Sequence, residues 1–205
     1  TGRGWTVGVL LQPAVGRQLI GADVSTLVDG QIALQDSTLT EVPRLVADIR
    51  ASMTNPDDPA ARESAIAVME TALRRLTPVD PEGLAVNTIV RTVENDPTIQ
   101  RVSQICERFG MNERALQRLA AKRIGLTPKW LIRRRRLHEA SWQLSGEVSL
   151  AELAASLGYS DQAHFQRDFQ SATGITPTTY AKQRGSVSKK MRRAVESHPQ
   201  SGNDR

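Results

Sequence analysis

The sequence predicts a mainly α protein: a small β segment, a pair of helices, then two helix-turn-helix units in tandem joined by a basic central helix. Three observations carry this. Apolar residues recur at helical spacing through most of the chain. Residues 102–118 and 149–167 repeat one design: a short amphipathic helix, a Gly turn, a polar cap, and a second helix with Gln and Arg on one face. The charge is also split. Residues 1–96 hold 8 Lys+Arg against 13 Asp+Glu, a net of −5, and residues 97–205 hold 19 against 9, a net of +10. The cationic half is the half with the paired units, and positive charge there favours a polyanionic partner through counterion release.

Residues 5–11 are β-branched and apolar between Gly4 and Pro13, which predicts a strand. Val15 to Ile20 form one or two helical turns stopped by Gly21. A short helix over 25–28 and a strand over 31–34 follow. One or two strands do not make a stable sheet alone. Residues 1–38 therefore read as the end of a larger β domain whose earlier part precedes Thr1.

Leu39, Val42, Leu45, Val46, Ile49 and Met53 follow a 3.6-residue period. Asn55, Pro56, Asp57, Asp58 and Pro59 break it. Residues 61–76 place Ile66, Met69, Leu73 and Leu76 on one stripe, and Thr77, Pro78 and Pro81 break the chain again. Residues 39–80 thus read as an antiparallel helix pair, a linker whose apolar stripes form a core or serve a second subunit.

Val86, Ile89, Val90 and Val93 share one face of a helix over 84–95, ended by Asp96 and Pro97. A helix over 101–109 follows, with Val102, Ile105, Cys106 and Phe109 apolar. Gly110 supplies the tight turn and Asn112 an N-cap. The next helix runs to Ile124, with Gly125 as its C′ residue. Thr127 caps and Pro128 opens a helix over 128–144, with Trp130, Leu131, Leu137 and Leu144 on its apolar side. Gly146 ends it. Ser149 and Glu152 have capping-box spacing. Gly158 makes the second turn, Ser160 or Asp161 caps a helix to Ala172, and Gly174 ends it before a last short helix from Ile175. Residues 186–205, with Lys189, Lys190, Arg192 and Arg193, have the composition of a disordered basic tail.

In a helix, positions i, i+3, i+4 and i+7 share a face. If Leu116 and Leu119 point to the core, then Arg114, Gln117, Arg118 and Ala121 point outward. If Phe165 and Phe169 take the core, then Gln162, His164, Gln166 and Arg167 point outward. Arg suits the acceptors of guanine and Gln the edge of adenine. Candidate base readers are thus Arg114, Gln117, Arg118, Gln162, His164, Gln166 and Arg167. Candidate backbone contacts are Asn112, Thr127, Ser160, Arg133 and Arg134. Arg133 to Arg136 step about 100° each around a helix, so they cannot all meet one phosphate row; one or two reach the backbone or an acidic partner, and the others are solvated. Glu113 and Asp161 lie at helix starts, where capping is their first duty.

Other chemistries find no foothold. Cys106, the single cysteine, excludes an intrachain disulfide framework and lies on an apolar stripe, as a buried thiol would. His138, His164 and His198 have no neighbours at metal-ligand spacing. No phosphate-binding Gly loop, nucleophile elbow or acid pair is present. The expectation is a protein without catalytic residues, cofactor or metal. No apolar run approaches a membrane span and no signal peptide is visible, so the expected location is cytoplasmic, at the nucleoid.

Gly158, Tyr159, Ser160, Asp161, Gln162, Ala163, His164, Phe165, Gln166, Arg167, Asp168 and Phe169, followed by Gly174 to Tyr180, resemble the C-terminal signature of the AraC/XylS family of bacterial transcription regulators. Leu116, Gln117 and Arg118, with Gly125, Leu126, Thr127 and Pro128, resemble the same family. The resemblance covers residues 84–184. It implies a seven-helix DNA-binding domain whose two recognition helices enter adjacent major-groove segments, with base reading at the seven positions named above. Ala120 stands where an aromatic is usual, and Ala181 where an Arg is. Gly8 to Pro13 and Leu27 to Asp29 are similar to the end of the cupin-like sensor domain of one branch of these regulators. The expected partners are then double-stranded operator DNA, RNA polymerase, a second copy through the N-terminal part, and a small-molecule effector that the sequence does not identify. Two other readings stay open: a sensor whose DNA domain is its output, and a nonspecific DNA-coating protein. Gln and His on the reading faces argue against the last, which needs only Lys and Arg.

Overall fold

The computed structural model describes residues 4–76, 78–144 and 149–184. The basic tail expected over 186–205, the break at Thr77 and the helix stop at Gly146 lie outside them. The described residues fall into two compact units, one up to Leu131 and one from Ile132 on.

The first unit holds α1 (Pro13–Ile20), 3-10 turns at Val24–Leu27 and Leu34–Asp36, α2 (Val42–Ser52), α3 (Pro59–Leu73) with a 3-10 turn at Arg74–Leu76, α4 (Pro81–Asn95), α5 (Val102–Phe109), α6 (Glu113–Ile124) and the start of α7 (Pro128–Gln143). The rest of α7 belongs to the second unit, with α8 (Leu150–Ser156), α9 (Gln162–Thr173) and a last helix over 177–184, α10.

Proline starts many of these helices because its missing N–H is one of the unpaired donors of a first turn. Pro13, Pro59, Pro81 and Pro128 occupy that position. Aspartate or asparagine side chains then accept a free amide. Asp58 takes Ala60 N–H at 3.0 Å, Asp80 takes Gly83 N–H at 2.7 Å, Asn112 takes Ala115 N–H at 2.8 Å and Asp161 takes His164 N–H at 2.7 Å. Asp161 rather than Ser160 is therefore the cap of α9. Ser149 stands at the start of α8, but its side chain makes no capping bond, so the expected capping box is absent.

Among the described residues there is no β-strand. The strand expected over 5–11 lies in a stretch without regular structure, and the one expected over 31–34 gives way to the turn at Leu34–Asp36. A strand needs a neighbour for its backbone groups, and the described residues supply none. The segment from α1 to Val28 instead packs on helices of its own unit. Gly83 of α4 lies under α1: an added Cβ there would sit 3.1 Å from the Ala14 carbonyl oxygen. Gly125, at φ +80° behind α6, would bring one to 3.0 Å from the Val24 carbonyl oxygen.

α2 and α3 pack on each other through Leu45, Ile49, Met53 and Ala65, with Val68, Met69 and Ala72 at the margin. Ile66, expected on the same stripe, is 51% exposed. Leu39, Val42 and Leu76 form a second cluster with Val15 and Leu19 of α1.

The most buried charge in this unit is Arg123, with only 3% of its side chain exposed. From α6 it donates to both Asp80 oxygens at 2.7 and 2.6 Å, to Glu82 Oε1 at 2.8 Å and to the Ala14 carbonyl at 3.5 Å. Lys122 adds an ion pair to Glu82 at 2.6 Å. Hydrogen bonds from Arg123 and the Gly83 amide hold the Asp80 carboxyl below its usual range, and Lys122 and Arg123 do the same for Glu82.

Removing one partner of a buried pair costs about 3–5 kcal/mol. The carboxylates here keep 42% exposure, so Arg123→Met should lower the unfolding free energy by about 2 kcal/mol in urea titration. Both carboxylates titrate lower in the folded state. Their contribution is full above the unfolded values, about 4, and is lost as pH falls through the lowered folded values. The wild-type midpoint should therefore fall on acidification more steeply than that of Arg123→Met.

Candidate nucleic-acid interface

The two turns are built alike. Gly110 at φ +62° and Gly158 at φ +77° take the left-handed conformation that glycine adopts without a Cβ clash. The residue after each glycine donates five residues back: Met111 N–H to the Cys106 carbonyl at 3.0 Å, and Tyr159 N–H to the Ala154 carbonyl at 2.9 Å. This bonding closes the first helix of each unit and redirects the chain into the second.

On α6, Leu116, Ala120 and Arg123 are buried, while Leu119 is half-buried at the margin. Opposite them Arg114, Gln117, Arg118 and Ala121 are exposed. Gln117 donates to Glu113 at 3.0 Å, which steadies it along the helix. Arg118 lines an open groove with Met111, Leu119 and Lys122, whose acidic wall is Asp23 and Glu82. The expected outward stripe is thus present, with Arg123 buried behind it. Ala120 stands within the packed face, where the aromatic usual at that position would need more room. Cys106 is half-buried rather than buried.

On α9, Phe165 and Phe169 are fully buried and meet edge-on at 5.7 Å between ring centres. Their cluster takes in Ala140, Leu144, Leu153, Ala154, Leu157 and Tyr159, and Tyr180 of α10 packs on Phe169 at 5.3 Å. Gln162, His164 and Arg167 are exposed and Gln166 is half-buried. Ser160 Oγ lies 3.0 Å from the Asp161 carboxylate and 3.1 Å from His164 Nδ1. The Asp161 carboxyl is held below its usual range by the His164 amide and then by the Ser160 hydroxyl.

The arginine quartet of α7 meets its expectation in part: Arg133 and Arg135 reach acidic partners, but Arg136 lies against an aromatic ring rather than in solvent. Only Arg134 is exposed. Arg133 Nε donates to Asp168 Oδ1 at 2.7 Å, Arg135 pairs with Glu139 at 3.3 Å, and Arg136 lies over the Tyr159 ring at 5.4 Å. Arg133, Arg135 and Arg136 are therefore engaged within the second unit, because a 100° step aims them at different neighbours. Of the residues expected at the DNA backbone, Arg133 is turned to Asp168, while Ser160 stays exposed and is bonded to Asp161 and His164. Asn112 and Thr127 are exposed caps, Thr127 accepting from Trp130 N–H at 3.3 Å.

Asp168 was not among the expected site residues. It joins Arg133 to the Tyr159 hydroxyl, which donates to it at 2.8 Å. Burial and this hydrogen bond push the Tyr159 phenol well above its ordinary value. Asp168 thereby anchors α9 from behind, as Asp80 and Glu82 anchor α6.

Residues 105–183 match the family model described as "Helix-turn-helix domain". Over 79 residues the chain is 28% identical to the "Virulence regulon transcriptional activator VirF" of Yersinia enterocolitica and to the "Thermoregulatory protein LcrF" of Yersinia pestis, covering 38% of this chain and 29% of each relative. It is 24% identical to the "Transcriptional activator NphR" of a Rhodococcus species over 157 residues, 70% of this chain and 47% of that one. The chain thus spans between about a third and a half of the length of these relatives. No solved structure matches it. Residues 105–183 thus carry a helix-turn-helix domain similar to that of these transcriptional activators.

Replacing Asp168 by Ala leaves the Tyr159 hydroxyl without its acceptor and releases Arg133. The unfolding free energy should fall by about 2 kcal/mol. Asp168→Asn keeps an acceptor for Tyr159 and should lose about half as much, as read by chemical denaturation. Equal losses would assign the effect to the Arg133 ion pair alone.

Proposed function

We propose that this chain is the reading part of a bacterial transcription regulator that recognises a bipartite DNA site, α6 entering one major-groove segment and α9 the next. One observation carries the reading. Each helix follows the same glycine turn, buries an apolar stripe, and exposes Arg and Gln on the opposite side. Arg can pair with guanine N7 and O6, and Gln with the adenine edge. Arg114, Gln117 and Arg118 form one reading set; Gln162, His164, Gln166 and Arg167 form the other. Asn112, Thr127 and Arg134 supply phosphate contacts, while Arg133 positions α9 and Ser160 its His164 side chain. The relatives' names, which describe transcriptional activators, agree with this assignment. The surplus cationic charge of residues 97–205 supplies the salt-dependent part of the affinity.

In the same proposal residues 1–38 are the end of a cupin-like sensor that takes a small effector. Residues 39–80 are a linker through which two copies pair, and the bound protein engages RNA polymerase. The absence of a long apolar helix among the described residues is compatible with work at the nucleoid. The candidate site offers hydrogen-bonding and cationic groups for a surface and no reacting group, so we assign no catalysis.

The test is selection of bound sequences from a random duplex pool at near-physiological salt. Two enriched blocks are expected. Arg118→Ala should erase preference in one and Arg167→Ala in the other, each weakening its block by roughly 10- to 100-fold. Tight, steeply salt-dependent binding without enrichment would instead make this a nonspecific DNA coat.

A further inference from the structure

Deepening the proposed DNA reading, and resting on it, the hydrogen bonds at the start of α9 fix which atom of His164 can face a base. The Asp161 carboxylate accepts the His164 amide at 2.7 Å on Oδ1, and its Oδ2 lies 3.0 Å from Ser160 Oγ. A carboxylate has no proton to give, so the single Ser160 hydroxyl hydrogen goes to Asp161. Ser160 Oγ can then only accept from His164 Nδ1, 3.1 Å away. A neutral imidazole carries one N–H. With that hydrogen on Nδ1, Nε2 is left as an acceptor. The ring itself is held edge-on against Tyr159, at 5.2 Å between centres and 86° between planes, and Tyr159 is held in turn by Asp168 and by Arg136 over its face. His164 is exposed, and among the described residues nothing pairs with Nε2.

We propose that His164 is a specificity-determining acceptor that reads an exocyclic amino group, cytosine N4 or adenine N6, because Ser160 and Asp161 hold its proton on Nδ1. Those two amino groups are the hydrogen-bond donors that base pairs present in the major groove. An acceptor aimed at guanine or thymine would meet only acceptors there. The Asp161–Ser160–His164 relay therefore sets the sign of the hydrogen bond.

Two readouts of the full chain test this. In mildly alkaline buffer, long-range proton–nitrogen NMR should show the free wild-type ring protonated on Nδ1. Ser160→Thr, which keeps the hydroxyl, should preserve that pattern, and Ser160→Ala should lose it. In duplex selection under the same conditions, one base pair of the α9 block should be preferred by roughly fivefold, and a duplex lacking the major-groove amino group of that pair (purine for adenine, or pyrimidin-2-one for cytosine) should lose that preference. His164→Ala and Ser160→Ala should abolish that preference without disturbing the α6 block, and Ser160→Thr should restore it. A wild-type ring protonated on Nε2, binding that does not fall when the amino group is removed, or a preference unchanged in Ser160→Ala overturns the inference. No enriched α9 block in the wild type overturns the DNA reading itself and the base assignment with it; the NMR pattern still reports the tautomer separately.

Discussion

Arg123 is a charged side chain in a place that hydrophobic packing alone would fill with leucine. It follows Leu116 and Ala120 along the inner face of α6, and it reaches across to the start of α4 and the carbonyl of Ala14 in α1. Burial by itself would pull the guanidinium down, but its bonds to Asp80 and Glu82 outweigh that and hold it above its ordinary value. One side chain thus fastens three helices that are far apart in sequence. Non-directional apolar contacts allow a short helix to roll; a guanidinium bonded to two carboxylates and a carbonyl does not. The exposed stripe of Arg114, Gln117 and Arg118 takes its direction from this fixed inner face. Gly83 and Gly125 belong to the same constraint, because side chains there would push the N-terminal segment away from α4 and α6.

The second unit meets the same need with other chemistry. Its inner face is aromatic, with Phe165, Phe169 and Tyr180 stacked edge to face, and its polar anchor is the shared Asp168 between Arg133 and Tyr159. Aromatic pairs have preferred geometries beyond area burial, so α9 needs less ionic fastening than α6. The buried ion network appears behind α6, where the inner face carries Leu116, Ala120 and Arg123. This division explains why α6 and α9 are each steadied from behind by groups that never reach the exposed side.

Local signals account for what could be read from sequence. The glycines at 110, 125, 158 and 174 and the caps Asn112 and Asp161 mark helix ends through interactions within a few residues, and the periodicity of α6 and α9 separates their two faces. What escaped is non-local. Nothing near Arg123 announces partners some forty residues back, and a basic residue in a last turn reads equally well as a solvated answer to the helix dipole. The 100° step already separates Arg133 to Arg136 in the sequence, but nothing local says that Asp168, Glu139 and the Tyr159 ring take Arg133, Arg135 and Arg136. The strand over 5–11 failed for the converse reason. Its β-branched composition is a local preference, and a strand exists only where another strand receives it. For the candidate site, exposure of the reading stripes was legible, while the bonds that orient His164 and tie Arg133 inward depended on the fold.

In the proposed function, the buried ionic anchor holds α6 in register for DNA while α9 is anchored by its own groups. Hydroxyl-radical footprinting of a selected duplex, comparing the wild type with Arg123→Met at concentrations where both are folded, tests it most directly. The account predicts two protected segments for the wild type, with protection lost over the α6 block alone in the variant. Equal weakening over both blocks, or an unchanged footprint, would contradict it.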